Sequence, residues 1–171
     1  LGETRHELGG SEYVKVVHDL IAGEPPNVDL HAEKALQHLL ASASRDGLLH
    51  SAHDCAEGGL AVTLAECTFG TGGIGLTVDV PAVAATPEWT RTATLFSESA
   101  SRVVVSVARE HVAAVLARAQ SLGVPAAEIG TTGSARISVS IKGTLAIDIA
   151  VSEAETIWDT ALENFFKQRA A

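Results

Sequence analysis

The sequence predicts an α+β fold, a mixed, largely antiparallel sheet with helices packed on one face. Two observations carry that expectation. Segments with helical spacing alternate with short strand-like runs along the chain. Near the end, "RISVSIKGTLAIDIAV" reads as two alternating arms around Lys142-Gly143, a hairpin that requires antiparallel pairing.

In chain order, residues 1–15 are rich in glycine and charge, and a short apolar run covers Val14 to Ile21. The tandem prolines of "AGEPPN" mark a turn or linker, because proline lacks an N–H and holds the residue before it extended. Asp29 is placed to cap a helix from about Leu30 to Ser44, with Leu36, Leu39 and Leu40 on its apolar side and Gly47 as its stop. "LLHSAHD" suits a buried strand ending at Asp54. A helix from about Gly59 to Phe69 follows, with Leu60, Leu64 and Cys67 on one side. "IGLTVDV" alternates as a half-buried strand, placing Ile74, Leu76, Val78 and Val80 on one face. Pro87 opens a short helix to Thr94, "SRVVVSV" is a strand, and "REHVAAVLARAQSLG" is an amphipathic helix closed by Gly123. The last helix, "SEAETIWDTALENFFKQ", offers Ser152 and Glu155 as a capping box. It spaces Ile157, Trp158, Ala161, Leu162 and Phe165 as core.

Bulk properties narrow the function. Hydrophobic residues make up 46% and aromatics 4%, so the core must be built from Ala, Val, Leu and Ile. A net charge of −9 with no basic stripe excludes a nucleic-acid surface that works by neutralising phosphates with Lys and Arg. No apolar run approaches membrane-spanning length. Cys55 and Cys67 lack a metal or redox spacing, which points to reduced thiols in a cytosolic protein. No methionine occurs anywhere and the chain opens on Leu1-Gly2, so the expectation is a piece of a longer polypeptide.

Two stretches are candidates for chemistry. In "HDCAEGGL" a paired glycine and a carboxylate sit at a strand-to-helix turn. Backbone N–H groups of a first helical turn attract anions, and glycine lets a phosphate approach the backbone. Gly58 and Gly59 are therefore phosphate candidates, and Asp54 is a candidate ligand for Mg²⁺, which takes a carboxylate or two plus substrate phosphates. The alternative is that the glycines only make a tight turn and Asp54 only caps it. The Lys-Ser/Thr of a P-loop is absent. In "LFSESASRVVV", Glu98 and Ser99 precede a strand, where side chains can reach a ligand at a sheet end, while Arg102 reads as a solvated edge residue. No nucleophile elbow surrounds Ser99. The seven histidines form no metal constellation, and His53 suits a hydrogen-bonded, partly buried role better than that of a ligand.

Together "GETRHELGGSEY", "HDCAEGGLAVTLAE" and "LFSESASRVVVSV" resemble the C-terminal part of the phosphoribosylformylglycinamidine synthase family, within the aminoimidazole ribonucleotide (AIR) synthetase-like superfamily. The resemblance runs through nearly the whole chain in order, and "ELGGSEY" favours this family over selenophosphate-synthetase-like relatives. It implies an AIR synthetase C-terminal-domain fold over residues 28–171, preceded in 1–27 by the tail of a core lobe and a linker. It also implies a cytoplasmic, ATP- and Mg-dependent parent that activates the amide of formylglycinamide ribonucleotide as an iminophosphate, which ammonia from a glutaminase subunit or domain then displaces. The parent's N-terminal lobes and its active-site histidine would lie outside these residues, so the piece alone is expected to be catalytically silent. By pseudo-symmetry with the family's first copy, Asp54 matches a Mg-binding position and Glu98-Ser99 a substrate loop. Ala100 stands where that loop usually has Gln, which removes an amide donor. "ETRHELGG", Glu3 to Gly10, matches a glycine-rich loop near nucleotide. The implied site is auxiliary, Gly58, Gly59, Glu98 and Ser99 around nucleotide with Asp54 on the metal; the other reading is a purely structural lobe that binds no ligand.

Overall fold

The computed structural model describes residues 1–169; positions 170 and 171, the end of the expected second domain, lie outside the described residues. The elements run α1 (Glu12–His18), α2 (Leu30–Arg45), β1 (Ser51–Asp54), α3 (Gly59–Glu66), β2 (Leu76–Val80), α4 (Pro87–Phe96), β3 (Val103–Ser106), a 3₁₀ turn (Arg109–His111), α5 (Val112–Ser121), β4 (Gly130–Thr132), β5 (Arg136–Ile141), β6 (Thr144–Ala150) and α6 (Val151–Arg169). The chain divides into two compact units, residues 1–64 with 81–128, and residues 65–80 with 129–171.

The first unit is built on an antiparallel pair, β1 with β3, in which Asp54 faces Val103 and Ser51 faces Ser106. Helix α2 starts where the sequence said it would. Asp29 accepts the N–H groups of His31 (2.8 Å) and Ala32 (3.2 Å), and Gly47 follows its last turn at φ +68°. Its apolar stripe, Leu36 and Leu39, meets Val103, Ala119 and Val124 in the core of this unit, with Leu1, Leu40 and Val105 against it. One face of the strand pair is thus covered by α2 and α5.

The second unit holds a four-stranded sheet in the order β4-β2-β5-β6. Only β2 with β5 is parallel; the other two pairings are antiparallel. Alternation puts Leu76, Val78, Val80, Ile137 and Val139 on one buried face, as the sequence requires of half-buried strands. The hairpin turns at Lys142 (φ +49°) and Gly143 (φ +76°), the paired positive φ of a type I′ turn.

Several expectations are corrected. The sequence shows α1 only as an apolar run; Ser11 caps it by accepting from Val14 N–H (3.3 Å), and seven residues are too few for periodicity to reveal. Ile74 precedes β2 and is half exposed. Helix α3 stops at Glu66 because Thr68 and Thr71 hydroxyls bond back to the Ala65 and Thr68 carbonyls and turn the chain. The capping box is absent: α6 begins at Val151, Ser152 lies inside it, and Glu155 accepts instead from Gly70 N–H (2.6 Å). The apolar stripe of α6 is not core either. Ile157, Trp158, Leu162 and Phe165 are all more than half exposed, whereas Val151 at its start is buried.

One carboxylate in the first unit makes stability pH-dependent. Glu33 accepts from Ser101 Oγ (2.6 Å) and from Gln37 Nε2 (2.7 Å), and these bonds hold its carboxyl below the usual glutamate range. Its pKa is depressed by folding, so the stabilisation is present above the unfolded value and lost as pH falls through the folded one. Glu33→Gln should therefore lower stability at neutral pH, with the deficit shrinking on acidification. Urea melts at about pH 7 and about pH 3 check this, and an equal deficit at both would contradict it.

Candidate functional site

All five residues singled out by the sequence lie in the first unit. Strand β1 delivers Asp54 to the turn before α3, and Cys55 N–H donates to Arg102 O (3.0 Å), which continues the ladder one residue further. The Asp54 carboxylate is 74% exposed, 3.7 Å from His53 Nδ1. Its main-chain carbonyl accepts from Thr63 Oγ1 (3.1 Å) and lies 2.8 Å from His53 Nδ1. Asp54 therefore points outward, and its carbonyl rather than its carboxylate ties β1 to α3.

The paired glycine answers to geometry. Gly58 and Gly59 both have positive φ, +77° and +63°. A Cβ on Gly59 would sit 2.6 Å from Ser97 O, and one on Gly58 would run into the Val62 side chain at 2.3 Å. Both amides are engaged inside the unit: Gly59 N–H donates to Ala56 O (3.0 Å) and Gly58 N–H to Glu98 Oε1 (2.8 Å).

Glu98 does more than meet Gly58. The same Oε1 accepts Glu12 N–H (2.9 Å) at the start of α1, so one carboxylate oxygen ties the residue before α3 to the first residue of α1. That is the place an anion would take, where helix-start N–H groups converge. Ser99 is fully buried; its hydroxyl accepts Arg5 N–H (2.9 Å) and donates to Arg5 O (3.3 Å). Ser97, also fully buried, accepts Glu7 N–H (3.2 Å), and Glu98 N–H donates to Glu7 O (3.2 Å). The serine-rich stretch thereby stitches the Thr4–Glu7 segment along its length. Glu7 is held in turn: burial pushes its carboxyl up, but Ser99, the Asn27 amide and Arg5 outweigh that and leave it below its ordinary range.

Arg102 corrects the expectation of a solvated edge residue. It is 5% exposed, with Nε donating to Ser99 O (2.8 Å), Nη2 to Ser97 O (2.6 Å) and Nη1 to Thr4 Oγ1 (2.9 Å). The available signal was a stretch dense in turn-forming serines just before an arginine, whose five donors need such acceptors when buried. Cys55 is buried too; loss of solvent pushes its thiol up, so it is protonated and inert at neutral pH. Among the described residues no group of three or more His, Cys, Asp or Glu gathers as a metal cage, so Asp54 stands as a single carboxylate. One carboxylate suits a hard cation arriving on nucleotide phosphates, not one held by protein alone. Among them, too, no helix is long and apolar enough to cross a membrane.

Residues 1–142 match the model of the family described as AIR synthase related protein, C-terminal domain. The chain is 44% identical over 158 residues to the phosphoribosylformylglycinamidine synthase subunit PurL of Moorella thermoacetica, covering 92% of this chain and 21% of that protein. To the PurL subunit of Thermobifida fusca it is 42% identical over 166 residues, 97% of this chain and 20% of that one. It spans about a fifth of the length of these curated relatives. Among solved structures, T. maritima PurL complexed with FGAR superposes with a TM-score of 0.74 at 20% identity, covering 90% of this chain and 26% of that one; this shows the shared fold.

Truncating Glu98 leaves two helix-start N–H groups without a partner. Glu98→Ala should cost about 1–3 kcal/mol in chemical denaturation, and an unchanged midpoint would show that the carboxylate holds nothing.

Proposed function

The chain belongs to the AIR synthase related protein C-terminal domain family, and on that premise we propose that it is the C-terminal lobe of an ATP-dependent phosphoribosylformylglycinamidine synthase. The observation that carries this is identity above 40% to synthase subunits over more than nine-tenths of the chain. The parent is a cytoplasmic ligase of purine biosynthesis that uses ATP and Mg²⁺ to turn formylglycinamide ribonucleotide into its amidine. Its partners are its own N-terminal lobes, which residues 1–27 join to the C-terminal domain of 28–171, and a glutaminase that supplies ammonia. The lobe alone does not turn over substrate.

Within the lobe, Asp54 is the residue open to a cation, and its role is one contact to Mg²⁺ carried by an auxiliary nucleotide. Gly58, Gly59, Glu98 and Ser99 shape the loop beside that contact. A second reading, a scaffold lobe without ligand, is favoured by one observation: the Gly58 amide is occupied by Glu98 while Ser99 is sealed against Arg5.

The test is a chimera in which residues 1–171 replace the matching segment of the Moorella subunit. With ammonia and ATP it should form the amidine within about tenfold of the unaltered subunit; a soluble, folded chimera without turnover would contradict the assignment. Asp54→Ala in the same chimera separates the two readings of the lobe. Loss of one tightly held Mg-ADP per chain supports the auxiliary contact, and unchanged stoichiometry supports the scaffold.

A further inference from the structure

Residues 10–22 form a closed excursion of the first unit, leaving and returning at one neck. There Gly10 N–H donates to Ala22 O (2.8 Å), and Gly9 lies so close to Gly23 that a Cβ on Gly23 would sit 2.7 Å from Gly9 Cα. Gly10 and Gly23 both have positive φ, +68° and +87°. A segment of this length whose ends meet is an Ω-loop, and this one carries α1. The neck is anchored on both strands. Before it, the Arg5 and Glu7 amides are fastened to Ser99 and Ser97. After it, the Asn27 main chain is gripped twice, its N–H donating to Glu7 Oε1 (3.1 Å) and its carbonyl accepting from Arg5 Nη2 (2.8 Å).

Beyond the neck the hold is slight. Ser11 is the last anchored residue, buried and donating its hydroxyl to Leu8 O (2.6 Å). Helix α1 itself contributes no buried residue, and Val16, Val17, Leu20 and Ile21 are all more than half exposed. Its ties are the Glu12 N–H bond to Glu98 Oε1 (2.9 Å) and the stack of Tyr13 on Phe96, with ring centroids 4.9 Å apart. Seven residues are too few for a helix to persist alone in water, so α1 keeps its form only while it is docked. Both ties fall on the stretch that carries Phe96 and Glu98. A firm neck, glycine pivots and a lightly held tip are the parts of a lid.

We propose that residues 12–21 are a lid that swings at the Gly10–Gly23 neck and uncovers Glu98 and the Phe96 ring while the rest of the first unit stays folded. When it lifts, Glu98 Oε1 gives up Glu12 N–H but keeps Gly58 N–H, so the turn before α3 is undisturbed. A carboxylate oxygen and an aromatic face become open together. One hydrogen bond to a charged acceptor and one aromatic pair close the lid, against the conformational freedom of about ten residues. The open form is therefore populated at about 0.1–1%. This goes beyond the synthase reading and stands whether or not the lobe binds nucleotide.

Native-state amide exchange of the 171-residue chain tests it. The Lys15 and Asp19 amides, which donate to Ser11 O and Val14 O, should show protection of about 10²–10³ that low denaturant does not change. The β1–β3 ladder should exchange only with global unfolding, at least about tenfold more slowly. Two variants cut the two ties separately. Glu12→Pro removes the N–H that meets Glu98 yet suits the first helical position, since Ser11 before it is already extended (φ −77°, ψ 157°). Tyr13→Ala removes the stack. Each should speed Lys15 and Asp19 together by about tenfold, leaving the β1–β3 ladder and the Gly10 and Asn27 amides of the neck unchanged. Should Glu12→Pro fail to fold, Tyr13→Ala decides alone. Lys15 and Asp19 amides that exchange only with the ladder overturn the proposal, as does a folded variant that leaves their rates unaltered. Neck amides that accelerate along with them overturn it too, because the whole N-terminal segment would then be melting.

Discussion

The first unit depends on a buried guanidinium held by neutral oxygens. Taking a charge out of water costs several kcal/mol unless its donors are satisfied. Arg102 meets that requirement with two carbonyls, Ser97 and Ser99, and the Thr4 hydroxyl, while Glu7 and Glu98 lie close enough to offset part of its charge. Hydrogen bonds from a charged donor are the stronger kind, about 1.5–3 kcal/mol each. Because the acceptors come from the stretch before β3 and from the N-terminal segment, the arginine fixes both to the sheet at once. The backbone of Ser97–Ser101 is thereby set, with Ser101 at φ +60°. Ser99 then reaches Arg5, and Glu98 reaches Gly58 and Glu12.

Residues that look like a ligand loop consequently serve as an internal joint. Paired glycines before a helix, a glutamate and a buried serine at a strand end are what a phosphate site would use, and here they face one another. The glutamate stands at the convergence of helix-start amides, where an incoming anion would compete with it. Asp54, left out of this joint, keeps an exposed carboxylate. The Gly58 and Glu12 amides are thereby engaged by a side chain of the same unit.

Local patterns revealed most elements. The Asp29 cap, the glycine stop, the strand alternation of β2 and the positive-φ pair at Lys142-Gly143 each encode their structure within a few residues. Features set by distant partners were not legible. The burial of Arg102 depends on Thr4, ninety-eight positions away, and the Glu98 bond to Gly58 spans forty. Glu155 has the spacing of a capping partner for Ser152, but an amide eighty-five residues away claims it. The stripe on α6 shows the limit of periodicity: it reports that a helix has an apolar side, not what that side meets.

The measurement that bears most directly on this account is amide hydrogen exchange in an Arg102→Met variant. Loss of the guanidinium should release the N-terminal segment, so that the Arg5 and Glu7 amides, which donate to Ser99 and Ser97, lose protection while the β2–β5 ladder of the other unit keeps its own. Unchanged protection at Arg5 and Glu7 in the folded variant would show that the arginine is a passenger and that something else holds the joint.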